Sequence, residues 1–140
     1  MYAIKLRGGV GLKLESGYNL RFRKFRLQPV VSVLKQNLFD DIPADLPEEL
    51  VETLASGKSF RIERIVSAGH ASKPGFWYDQ TQHEWVVLLS GAARIEFDDE
   101  KKSVDLAPGD YLSIPAGCRH RVGWTSLEET TVWLAIHFTE

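Results

Sequence analysis

From residue 58 onward, apolar and polar positions alternate in short runs separated by Gly, Pro and Asp. Alternation with a period of two, bounded by turn residues, marks half-buried strands, because successive side chains on a strand point to opposite faces. The runs cover residues 60–66, 85–89, 93–97, 103–106, 111–114, 120–124 and 130–138. Their spacing predicts an all-β sandwich or barrel. Between them, "DDEK" at 98–101 and "APGD" at 107–110 read as turns. Residues 18–27 also alternate, slip by one at Lys24 and resume. That pattern predicts a strand with a bulge, whose outer face is almost all Arg and Lys. Upstream, Gly8, Gly9, Gly11 and Gly17 predict a loose start or a short hairpin.

One segment carries helical spacing instead. Asp45 can cap it, Glu48 follows three positions later, Pro47 is tolerated in the first turn and Gly57 lies just past the end. Leu46, Leu50, Val51 and Leu54 would share one side, so the expected helix covers a sheet edge or a barrel end.

Composition narrows the class. The chain of 140 residues fits one domain able to build a real core, 44% of it is apolar and 26% charged, and its apolar runs are far too short to span a bilayer. A soluble protein with no membrane association is expected. Cys118, the single cysteine, has no intrachain partner, and no apolar leader with a small-residue cleavage site opens the chain, so a cytoplasmic location is expected. The net charge of -2 hides an asymmetry. Residues 1–35 hold eight Lys/Arg against one acid, hence +7, and the rest hold nine bases against 18 acids, hence -9. A basic segment can contact phosphates, but no recognition helix or nucleic-acid motif accompanies it. An arm lying against an acidic body, in the same chain or a partner, accounts for the asymmetry, and no nucleic acid is expected as a partner.

The most specific spacing lies in "PGDYLSIPAGCRHRVGW": Gly109, five residues, Pro115, one residue, Gly117, two residues, His120. It resembles the second motif of the cupin superfamily, complete through the histidine and departing only where Trp124 replaces an Asn. In that family the histidine is usually a metal ligand. The first cupin motif is matched less fully. Glu84, six residues, then Gly91 reproduces its second half, and counting back from Glu84 puts Trp77 and Asp79 where two histidines belong. Counting forward from Gly75 puts Thr81 and His83 there instead. The loop is shortened, and the usual histidine pair is absent.

Further fragments, among them "DLPEELVETL", "GDYLSIPA" and "VWLAIHF", extend the resemblance to residues 37–138 and to small single-domain bacterial cupins of the cupin 2 type. The resemblance implies an antiparallel double-stranded β-helix, a jelly-roll-like barrel that often dimerises, here with one short N-terminal helix. It divides the chain into a basic extension, 1–36, and a barrel domain, 37–140. A homodimer is the expected assembly.

Within that barrel a metal site would draw on His120 with Glu84 or His83, and on Asp79 reaching in from the loop. Adjacent strand positions face opposite ways, so His83 and Glu84 share the interior only if a bulge or the strand's start rotates one of them. Two imidazoles and a carboxylate would suit Fe, Mn, Ni or Zn. The alternative is a metal-free apolar cup for a small organic ligand, with Glu84 paired to Arg119 or Arg121 and His120 satisfying a backbone carbonyl. Tyr78, Gln80, Trp77 and His137 are the candidate ligand-binding residues. His70 reads as a loop histidine, the tryptophans mostly as core, and Cys118 as incidental. No phosphate-cradling loop, GxSxG elbow or HExxH helix occurs. Expected functions are a metal-dependent dioxygenase, isomerase or decarboxylase, a non-catalytic binding or regulatory module, or a protein whose basic arm engages an acidic partner.

Overall fold

In the computed structural model the described residues are 33–99 and 102–140. The strand expected at 18–27, the glycine-rich start and the last two residues of the 98–101 turn lie outside them. The order is β1 (Leu50–Ser56), β2 (Phe60–Ser67), β3 (His83–Ser90), β4 (Ala93–Phe97), β5 (Lys102–Leu106), β6 (Tyr111–Ile114), β7 (His120–Thr125) and β8 (Thr131–Phe138). Every pairing is antiparallel, in a five-stranded sheet ordered β1-β2-β8-β3-β6 and a three-stranded sheet ordered β5-β4-β7.

The seven strands predicted by alternation from residue 58 onward are present as β2 to β8. Along β3, Glu84, Val86 and Leu88 are buried while His83, Trp85 and Val87 are only half-buried, the expected signature of one face turned to a core. Val86, Leu88, Ala93, Ile95, Leu106, Ile114, Trp133 and Ala135 form that core, drawing on both sheets. Burying a Leu or Val side chain of this kind contributes about 1.5–3 kcal/mol. Residues 35–140 form one compact unit.

Turn chemistry sets the register. After β5 the 107–110 turn closes on Asp110, whose carboxylate accepts the Ala107 N–H at 2.9 Å, and Gly109 at φ 95° donates its N–H to the Leu88 carbonyl at 2.8 Å. Gly91, at φ 80°, lets β3 turn into β4 against Thr131, where an added Cβ would lie 2.6 Å from the Thr131 Cα. No L side chain fits there without displacing backbone.

The expected helix does not form, and no helix occurs among the described residues. Leu50–Ser56 is instead β1, paired with β2 and bulged between Thr53 and Ala55. The reason is Arg64, which is 6% exposed. Its guanidinium donates to the Glu52 carboxylate at 2.6 Å and to the backbone carbonyls of Leu38 and Asp40 at 2.9 and 2.7 Å. Glu52 stands directly across from Arg64 in the strand register. A buried cation without these acceptors would cost several kcal/mol, far more than the tenths per residue by which helix propensity chooses. No helix of the described residues is long and apolar enough to cross a membrane.

Candidate functional site

The inward rows of the five-stranded sheet grade from polar to apolar. The first sets Glu84 across from His137, with Arg61 on the far side of His137. The next aligns Val86, Ala135 and Glu63, and the third Leu88, Trp133 and Ile65. From the other sheet, β7 supplies His120 and Val122 and β4 supplies Ile95. Between the sheets lies a cavity of about 340 Å³ with Glu84, His120 and His137 in its lining. Its apolar walls include Val86, Ile95, Ile114, Val122 and Trp133.

The segment before β3 closes one side. Tyr78 pairs with His120 through two backbone hydrogen bonds, 2.8 and 3.2 Å, and their rings stack with centroids 5.5 Å apart. Two residues on, Gln80 lines the same cavity and donates its amide to Glu84 Oε2 at 2.9 Å.

Glu84 and His120 meet across the two sheets, Oε2 to Nε2 3.3 Å, with side chains 11% and 6% exposed. His120 Nδ1 lies 2.9 Å from the Cys118 carbonyl, so that nitrogen carries a proton and donates it there. Burial pushes the Glu84 carboxyl up, but hydrogen bonds from His120 and Gln80 and the charges of His120 and His137 outweigh it and hold the group below its ordinary value. For His120 burial pulls down, and is outweighed by the hydrogen bond to Glu84, the Cys118 carbonyl and the Glu84 charge, leaving the ring above its ordinary value. When His120 is protonated the two groups form a buried ion pair in which both imidazolium protons have acceptors. Burial, then the charges of Glu49 and Glu84, raise Tyr78, keeping its phenol a hydrogen-bond donor at neutral pH.

A second pair lies beside the first. His137 Nε2 is 3.3 Å from Glu63 Oε2, and Arg61 Nε donates to Glu63 Oε1 at 2.6 Å. His137 Nδ1 is buried without a hydrogen-bond partner. Glu49 completes the polar lining and accepts the Ser67 hydroxyl at 2.5 Å, while Ser67 in turn accepts the Trp133 indole N–H at 3.2 Å.

Glu84, His120, Tyr78, Gln80 and His137, all singled out by sequence, thus share one cavity. The other three candidates lie elsewhere. His83 points outward, stacked on Phe138 with centroids 5.4 Å apart, and accepts the Ala116 N–H at Nδ1, 3.3 Å away. The β3 alternation puts it opposite Glu84 with no bulge to rotate it. Asp79 is exposed, between two inward neighbours. Trp77 stands outside the cavity lining with the Arg121 guanidinium 4.6 Å from its ring centroid. Arg119 and Arg121 pair with Asp98 and Glu96 rather than with Glu84. His70 is a loop residue whose carbonyl accepts the Thr125 hydroxyl at 2.7 Å.

The donor set does not fit the metal that the fold family suggests. Of the four expected ligands only Glu84 and His120 meet, and Glu84 Oε2 already accepts from Gln80. Among the described residues no group of three or more His, Cys, Asp or Glu is arranged to hold a metal ion. Three protein ligands are the usual minimum for a catalytic zinc or non-haem iron site.

Sequence reading missed Glu49, Arg61 and Glu63. In "FRIERIV" Arg61 and Glu63 line the cavity, while Phe60, on the alternate face with Ile62, is 40% exposed. The usable signal was the pair of opposite charges two positions apart, since i and i+2 share a strand face. Glu49 was hidden by the helical reading of its segment.

Comparison with known proteins agrees with this architecture. A protein of Ralstonia eutropha JMP134 named "putative mannose-6-phosphate isomerase" is 48% identical, with 77% of this chain and 100% of that one covered and a TM-score of 0.74. A cupin superfamily protein of Desulfitobacterium hafniense DCB-2 is 25% identical over 71% of this chain and 84% of its own, with a TM-score of 0.59. An RmlC-like cupin of Methanocaldococcus jannaschii with a double-stranded β-helix fold, 12% identical over 70% and 86% with a TM-score of 0.55, shares the fold. No curated protein matches. The Cupin_2 family, described as the cupin domain, matches residues 62–137, more than half of the chain and the whole stretch from β2 to the cavity end of β8, and the protein therefore belongs to the cupin family.

Proposed function

We propose that the barrel cavity binds a small organic ligand and that the Glu84–His120 pair moves a proton on it, as an isomerase does. The observation that carries the reading is the buried contact between Glu84 Oε2 and His120 Nε2 in a cavity whose walls include Val86, Ile95, Ile114, Val122 and Trp133. On a ligand with a carbonyl beside a hydroxyl-bearing carbon, the Glu84 carboxylate takes the proton from that carbon. The His120 imidazolium gives its Nε2 proton to the carbonyl oxygen, forming an enediol. Removal of the neighbouring hydroxyl proton by the imidazole, with return of the Glu84 proton to the former carbonyl carbon, completes the shift and restores both groups. No electrons leave the system. Tyr78 would orient the ligand through its phenol, and the apolar walls would exclude water, strengthening each charge. The isomerase name of the Ralstonia protein, 48% identical, agrees with this class of reaction.

The test is solvent exchange. Small hydroxyaldehydes and hydroxyketones are incubated with the protein in D₂O and followed by proton NMR. Deuterium entering the carbon next to the carbonyl, and lost in Glu84→Gln and His120→Asn, supports the reading. Compounds that bind without exchange would instead favour a binding or regulatory module in the same cavity.

A further inference from the structure

From the charge and hydrogen-bonding character of the lining we infer that the ligand has a head group that donates hydrogen bonds and is not anionic, a hydroxyl or an ammonium, joined to an apolar body. This deepens the reading above and rests on the cavity being the ligand site. Three carboxylates line the cavity, those of Glu49, Glu63 and Glu84, against one guanidinium, Arg61. That guanidinium already donates to Glu63 at 2.6 Å. Gln80 is engaged with Glu84 at 2.9 Å. Glu49 accepts only from a neutral hydroxyl, Ser67, and has no cation partner among the described residues. Leaving the imidazoles aside, the described lining thus holds carboxylates in excess over guanidinium, and that of Glu49 faces no described cation.

An imidazole adds an unmet polar atom. His137 Nε2 lies 3.3 Å from Glu63 Oε2, while its Nδ1 is buried without a hydrogen-bond partner, the residue being 5% exposed. A buried polar atom left unpaired in the free protein is a place for a hydrogen bond from a ligand hydroxyl or ammonium to be gained. A phosphate needs the opposite lining, with Arg, Lys or clustered backbone N–H groups to meet its oxygens. Here its charge would face carboxylates in a partly desolvated site, where like charges repel strongly. The walls give the second half of the inference. Val86, Ile95, Ile114, Val122 and Trp133 offer only dispersion contacts, apart from an indole N–H already given to Ser67. A sugar phosphate, polar on every side, would bury hydroxyls against them unmatched. A compact apolar body would not.

Calorimetric titration of the full chain at pH 7 with benzylamine, benzyl alcohol, benzoate and mannose 6-phosphate tests this. Benzylamine and benzyl alcohol should bind at least about tenfold more tightly than either anion. Glu49→Gln, which keeps an acceptor for Ser67, should weaken benzylamine by about three- to tenfold and leave benzyl alcohol within about twofold. Benzoate or mannose 6-phosphate binding as tightly as the uncharged probe would overturn the inference. So would failure of both benzylamine and benzyl alcohol to bind at millimolar concentration. A sugar phosphate that binds and exchanges deuterium would sink the inference while leaving proton transfer by Glu84 and His120 standing. The two ideas therefore fail separately.

Discussion

The cavity contains two histidine–glutamate pairs with the same Nε2 to Oε2 separation, 3.3 Å, and different chemistry behind them. Glu84–His120 joins β3 to β7 across the two sheets, whereas Glu63–His137 lies within one sheet, on β2 and β8. The ring of His120 has the Cys118 carbonyl at its other nitrogen, while that of His137 has no partner there. The carboxylate of Glu84 has a neutral helper, Gln80; that of Glu63 has a full cation, Arg61. In the first pair the imidazolium is the cation that balances the carboxylate, and both its N–H groups are accepted. In the second the Arg61 guanidinium balances the carboxylate, and the imidazole keeps its Nδ1 without a partner. Equal distances therefore hide different surroundings: the first pair bridges the sheets with a partner at both nitrogens of its ring, and the second stays within one sheet with a buried nitrogen unmatched.

The largest expected effect comes from breaking the first pair. Glu84→Ala leaves a buried imidazolium facing no carboxylate and should cost about 3 kcal/mol of stability by urea denaturation. Glu63→Ala should cost nearer 1 kcal/mol, because the Arg61 side chain is 39% exposed and can turn to water. Equal losses would erase the distinction drawn between the pairs.

A smaller effect, in pH dependence, sharpens it. Glu84 is held below its ordinary 4.5, so its contribution is present above that pH and is lost as pH falls through the folded value. His120 is held above its ordinary 6.5, so its contribution is complete below that pH and fades as pH rises through the folded value. Both are fully present between 4.5 and 6.5. The stability gap between the native protein and Glu84→Gln should peak in that window and narrow on either side. In NMR titrations the His120 ring should change charge above 6.5 in the native protein, and lower in Glu84→Gln. A gap that is flat with pH would mean the two groups do not share charge in solution.

How much of this was legible beforehand follows from the kinds of force involved. The strands from β2 to β8 were readable because burial of one sheet face imposes a period of two, and the motif glycines marked turns through conformations that only Gly adopts cheaply. His120 and Glu84 were readable because they stand at motif positions, His120 opening β7 and Glu84 second in β3. β1 was not. Its helical spacing and capping residues are local signals of tenths of a kcal/mol, whereas what decides is Arg64, whose acceptors come from residues 38, 40 and 52. A contact over 12 to 26 positions leaves no periodic trace. The same blindness hid Glu63 and Arg61. They occupy the polar half of an alternating strand, and the rule that apolar residues face inward fails where the interior is a binding cavity.

The smallest expected effects concern the outward group, and they bear on whether a metal belongs in this barrel. His83 stacks on Phe138, itself 36% exposed, and accepts one long hydrogen bond of 3.3 Å, so His83→Ala should cost no more than about 1 kcal/mol. Asp79→Ala, at an exposed position, should stay within about 0.5 kcal/mol. Neither should move the His120 titration or the affinity for benzylamine, because neither side chain lines the cavity. Metal analysis of protein purified without chelator makes the contrast decisive. If Glu84 and His120 are a proton pair, added Zn²⁺ or Mn²⁺ should compete poorly with the imidazolium, and chelation should leave the thermal midpoint unchanged. Stoichiometric metal that disappears in His83→Ala would require the start of β3 to rotate that ring inward. His83 would then have to give up both Phe138 and the Ala116 N–H, and Glu84 would have to exchange its Gln80 hydrogen bond for the ion. That result would dissolve the difference between the two histidine–glutamate pairs, since Glu84 and His120 would then be metal ligands rather than proton carriers.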